Sequence, residues 1–124
     1  MGIDIYLKWK GMTKAEHNKQ ITGWSVEHGH AGYLREAYHG GPYVTKYLLK
    51  EAFESGTEEV QIPAKVLRKR LREAIRLAKQ RQKEIYDEDK GDDDPVVKSF
   101  VDFVELAEKM EKKTGEPVTI LASY

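Results

Sequence analysis

Cysteine is absent from this chain, which excludes disulfides, thiolate metal sites and thiol nucleophiles together. An excess of charge of one sign is missing too, since 21 basic residues balance 21 acidic ones and the isoelectric point lies near 6.9. The molecule as a whole therefore exerts no long-range pull on nucleic acid or on a membrane surface, and any such attraction must be local. No apolar run approaches the ~20 residues of a membrane-spanning helix. The opening residues, Met1-Gly2-Ile3-Asp4, carry neither a basic region nor a long apolar stretch, and Tyr6 stands where a myristoylation signal needs serine or threonine. The expectation is a cytoplasmic protein with no membrane association. No serine stands in a nucleophile elbow, there is no internal repeat, and the only low-complexity tract is one acidic segment.

What is present suffices for one core. A chain of 124 residues with 40% hydrophobic and 34% charged side chains builds a single globular domain, 1–124, with little room for a second. Ile3, Ile5 and Leu7 alternate with Asp4, Tyr6 and Lys8, the period of a half-buried strand. Thr13 and Glu16 offer a capping box for a short helix running to about Gln20. Trp24 and Val26 alternate within residues 22–27 and suggest a short strand. Tyr47, Leu48 and Phe53 mark a helical pattern over 44–55, closed by Gly56. Val60 and Ile62 give an extended entry to a long helix over 63–86, whose apolar stripe is Leu67, Leu71, Ala74, Ile75, Ala78 and Ile85.

Asp94 is placed to cap a last helix with Pro95 in its first turn, burying Val97, Phe100, Val101, Val104, Ala107 and Met110 before Gly115 stops it. Val118, Ile120 and Ala122 alternate as a closing strand. The predicted fold is α+β and predominantly helical. A long antiparallel helical hairpin packs with shorter helices on a small sheet formed by the N- and C-terminal strands.

Chemistry-bearing residues concentrate between Gly29 and Pro42. The spacing predicts a short helix over 31–39, with Ala31, Leu34 and Tyr38 on one face and Gly32, Arg35, Glu36 and His39 on the other. His28, His30 and His39 are three of the four histidines in the chain. With Glu27 or Glu36 they suggest a divalent-metal site, although the spacing matches no standard ligand set. Arg35 and His39 suggest instead an anion site for phosphate or carboxylate, oriented by Tyr33, Tyr38 or Tyr43. The candidate ligand-binding set is thus His28, His30, Tyr33, Arg35, Glu36 and His39, joined by Asp4 or Tyr6 from the first strand. In an enzyme, His39 or Glu36 would be the general base and Arg35 the anion anchor. The plain alternative has Arg35 and Glu36 pairing with neighbours while the tyrosines fill the core. Gly40-Gly41-Pro42 reads as a turn, since it has neither the spacing nor the lysine of a P-loop.

Charge is segregated along the helical hairpin. Residues 64–83 hold nine basic residues against the single acid Glu73, a local net charge of +8 that leaves −8 for the rest. Lys65, Lys69, Arg72, Arg76, Lys79 and Lys83 recur at three- and four-residue intervals and form one continuous line. Such a line can follow a phosphate backbone, but no aromatic residue interrupts it to stack a base. Asp87 to Asp94 then holds six acids in eight residues. Its register fails the EF-hand pattern, since Asp92 stands where glycine is needed, and a solvated loop is expected.

The sequence identifies no function or cofactor. It favours an interaction domain, oligomeric or partner-binding, over a small enzyme or ligand-binding domain with an anion or metal site, and both over nucleic-acid binding.

Overall fold

Alternating isoleucine and leucine can all face one way only in an extended chain, and β1 (Gly2–Lys8) buries Ile3, Ile5 and Leu7 completely. The computed structural model describes residues 2–21, 29–54 and 59–124. After β1 come α1 (Lys14–Ile21), β2 (Tyr33–Ala37), α2 (Val44–Leu48), β3 (Glu59–Ile62), α3 (Ala64–Tyr86), α4 (Pro95–Thr114) and β4 (Val118–Ser123). The strands form one antiparallel sheet in the order β2-β1-β4-β3, so the terminal strands are its central pair. Helices α3 and α4 form the hairpin that packs against it. Their buried faces, Leu67, Leu71, Ala74 and Ala78 on one and Phe100, Phe103, Val104 and Ala107 on the other, meet the inward side chains of the sheet in one core. The fold is α+β, as the sequence indicates.

Local signals set several boundaries. Thr13 N–H donates to Glu16 Oε1 at 2.9 Å and Glu16 N–H to Thr13 Oγ1 at 3.1 Å, closing the capping box of α1. Asp94 accepts from Val96 N–H at 2.8 Å and caps α4, with Pro95 following. The pattern over 44–55 yields only α2 and a 3-10 turn at Lys50–Phe53, because Leu49 (φ −121°, ψ 37°) leaves the helical region between them. Arg70 of α3 grips that turn, donating to the two Glu51 carboxylate oxygens at 2.7 and 2.6 Å and to the Leu48 carbonyl at 3.1 Å. These bonds hold the Glu51 carboxyl below its ordinary value.

The helix expected over 31–39 is a correction: the segment is a 3-10 turn at Gly29–Ala31 followed by strand β2. Gly32 sits at φ +91°, where a helix cannot continue. Pairing with β1 then outweighs the modest helix preference of Leu34, Arg35, Glu36 and Ala37. A side chain at Gly32 would meet Leu7 Cβ at 2.8 Å and Gln20 Nε2 at 2.7 Å. The notch is therefore filled by Gln20, which is buried and donates to the Leu7 carbonyl at 2.7 Å. The strand suggested at 22–27 and the residues His28 and Gly56 lie outside the described residues.

Period two also separates neighbours that a helix would have grouped. Leu34 and Glu36 are turned into the helical layer, whereas Tyr33 and Arg35 lie on the other face of the sheet, where both reach Asp4. The Tyr33 hydroxyl donates to Asp4 Oδ1 at 2.6 Å, and burial together with that bond pushes the phenol up to about 12. Tyr33 is expected to ionise well above the ordinary tyrosine value. Because its folded value is raised, the neutral phenol stabilises the fold fully below the ordinary tyrosine value of ~10, and that contribution is lost as pH rises through about 12. Phenolate absorbance in the Tyr33→Phe variant should lack a step near pH 12 that the wild type shows. A titration curve superimposable on the wild type would refute the assignment.

Candidate functional site

Glu36 enters the helical layer from β2 and is 7% exposed, as is Arg81 of α3. Its carboxylate accepts from Val44 N–H at 2.8 Å, Thr45 N–H at 3.0 Å and Thr45 Oγ1 at 2.6 Å, and pairs with Arg81 Nε at 3.1 Å. Arg81 also donates to the carbonyls of Gly40 and Pro42, and its guanidinium lies 4.9 Å from the Tyr43 ring centroid. Residues 37–45 are thus wound around one buried ion pair, whose lone pairs and N–H groups are taken up by backbone.

Beside that pair, at the edge of the sheet, opens a cavity of about 340 Å³. Ala37, Val44, Ala78, Val96 and Phe100 give it apolar walls. Arg35, Glu36, Arg81, Gln82, Tyr86 and Glu88 complete the lining. Gln82 Nε2 reaches Asp94 Oδ2 at 3.2 Å, and the Glu88 N–H donates to the Gln82 carbonyl at 2.9 Å, so the acidic loop is fastened to the cavity end of α3. Tyr86 of the lining belongs to a group of aromatic rings. Tyr86 and Tyr38 are exposed, His39 meets Tyr86 edge-on at 5.5 Å, and Tyr38 meets Tyr43 edge-on at 5.9 Å.

The structure divides the sequence candidates. Arg35 and Glu36 line the cavity; His39 does not, but it packs against the lining residue Tyr86. Tyr33 belongs to the Asp4 cluster on the other face, to which Arg35 NH1 also donates at 3.0 Å. His30 and His39 fall at opposite ends of β2, whose five residues alone extend over roughly 13 Å at ~3.3 Å per residue. Those two imidazoles cannot share one metal ion; of the two expected carboxylate ligands, Glu36 is engaged as described and Glu27 lies outside the described residues. Among the described residues no three histidine or carboxylate side chains are placed to hold a metal.

Arg81, Gln82, Tyr86 and Glu88 are polar lining residues outside the candidate set drawn from the sequence, where Arg81 counts among the cations of α3. The signal was in the spacing: Arg81 follows Ala74 by seven and Ala78 by three, which puts it on the apolar stripe. A charge there needs a partner.

The basic line keeps its position on the solvent side of α3 but not its whole charge. Of the nine basic residues over 64–83, Arg68, Arg70, Arg76, Lys79 and Arg81 pair with Glu108, Glu51, Glu73, Asp92 and Glu36 respectively. Lys65, Lys69, Arg72 and Lys83 make no ion pair with a described residue. No helix among the described residues is long and apolar enough to cross a membrane. No family model, no curated protein and no solved structure matches this chain.

Proposed function

We propose that this chain is a binding domain that receives an apolar group of its partner in the cavity beside Glu36 and Arg81. The observation that carries this reading is the cavity itself, preformed at about 340 Å³ with apolar walls and a few polar groups at one end, the usual make-up of a recognition pocket. Tyr86 of the lining is exposed, and tyrosine gives large contact area at low entropic cost. Catalysis is the weaker reading, since the two lining residues expected to act as base and anion anchor already have partners. Glu36 receives four donors and Arg35 is paired with Asp4. The partner contact expected on the basic line of α3 is here placed at the cavity instead, because that line presents only lysine and arginine, and two of its six members, Arg76 and Lys79, are already paired within the fold.

The acidic loop that carries Glu88 favours a cationic ligand, since Glu88 pairs with Lys90 but Asp87, Asp89 and Asp93 make no ion pair with a described residue. Saturation-transfer NMR with aromatic amines such as benzylamine and tryptamine tests this. Binding is expected in the wild type and in Lys69→Ala, and at least a tenfold loss in Ala78→Met, whose longer side chain occupies the cavity. Transfer that persists in folded Ala78→Met, or none in the wild type, would overturn the assignment.

A further inference from the structure

We infer that the partner is a protein segment, extended and basic, that adds to the outer edge of β2 as a further strand and seats one apolar side chain in the cavity. This rests on the binding reading above and names its ligand class. The Leu7 N–H donates to the Gly32 carbonyl at 2.8 Å, which fixes the phase of the β1–β2 ladder. Leu34 and Glu36, two and four residues on, therefore turn their backbone groups toward β1, and Arg35 and Ala37 turn theirs outward. β2 is an end strand of the sheet. The Ala37 carbonyl is already taken by His39 N–H at 3.1 Å, whereas no described residue bonds to the Arg35 N–H or carbonyl. Arg35 and Ala37 are also cavity-lining residues, so the open backbone edge and the apolar recess are one continuous surface. A strand laid along that edge directs alternate side chains toward the helical layer, where the cavity lies.

Charge selects the segment. Glu88 lines the cavity and pairs with Lys90 at 3.7 Å, whereas Asp87, Asp89 and Asp93 of the same loop make no ion pair with a described residue. The two arginines of the lining are each paired, Arg35 with Asp4 and Arg81 with Glu36. Lysine or arginine on either side of the apolar anchor meets this acidic field. A second copy of the chain fits less well, since antiparallel pairing of two β2 strands centred on Arg35 sets like charges directly opposite.

The test is fluorescence anisotropy with a labelled heptapeptide of alternating lysine and leucine, against one of alternating glutamate and leucine. The lysine peptide is expected to bind at least tenfold more tightly. Arg35→Pro removes the outward N–H without costing the β1 ladder a bond and should weaken binding at least tenfold. Arg35→Ala, which keeps the N–H, should lose clearly less than Arg35→Pro, Lys69→Ala outside the cavity should stay within about threefold, and circular dichroism confirms that the variants are folded. Equal binding of the acidic peptide, an unaffected Arg35→Pro, or no binding of the lysine peptide would each overturn the inference. If the lysine peptide fails while the aromatic amines still bind, the cavity reading stands and the strand-addition inference falls. If both fail, neither survives.

Discussion

Replacing Glu36 by alanine is expected to destabilise the fold by about 3–5 kcal/mol, because it strands a buried guanidinium. The side chain removed holds three separate things in place. It neutralises Arg81, which has no second carboxylate within reach among the described residues. It accepts the N–H groups of Val44 and Thr45, which start α2 and have no other acceptor there. It also accepts the Thr45 hydroxyl, in a residue with no exposed surface. A loss of that size corresponds to a fall in melting temperature of about 10–20 °C for a domain of this length. The paired substitution Glu36→Leu with Arg81→Met should recover only the part of the loss that comes from the stranded guanidinium, since the Val44 and Thr45 donors still lack their acceptor. Thermal unfolding of the single and double variants decides it. A single variant within about 3 °C of the wild type would mean that Arg81 finds water or another partner, and that residues 37–45 do not depend on this pair.

The same residues show where local pattern is sufficient and where it is not. β1, α3, α4 and β4 were legible because each carries a long regular period, two or three-four, that no tertiary contact needs to correct. The caps at Thr13 and Asp94 were legible because a cap is a local hydrogen bond between residues two or three apart. Residues 31–39 were misjudged for the opposite reason. Leu34, Arg35, Glu36 and Ala37 are individually good helix formers, and what makes them a strand is β1, about thirty residues earlier, together with a left-handed Gly32. That error regrouped the candidate site, because a helix sets Arg35 and Glu36 together and a strand sends them to opposite faces. The cavity has no sequence signature of its own. It exists because β2 is an end strand and because α3 and the loop to α4 stand beside it, and both are facts of topology. Only the arginine on the apolar stripe of α3 announced that something charged was buried nearby.

Phe103→Ala is expected to cost about 3–5 kcal/mol, the range for emptying a large aromatic site in a core. Phe103 is the largest of the fully buried side chains and has no exposed surface. It stands near the middle of α4 on the face shared with Phe100, Val104 and Ala107, between the sheet and α3. Neither layer can easily close over the gap, since the hairpin fixes α4 to α3 and the four-stranded sheet is itself continuous. For a domain whose whole stability is of order 5–15 kcal/mol, that loss is a large share, and urea unfolding should show the midpoint moving with little change in slope. Phe100→Ala gives the informative comparison, because Phe100 is buried on the same helix face but lines the candidate site. Both variants should lose stability. Only Phe100→Ala should change the affinity for aromatic amines under conditions where the protein remains folded. Equal effects on binding from both would mean that the cavity responds to the packing of the whole hairpin, and that its shape is a property of the core instead of its own walls.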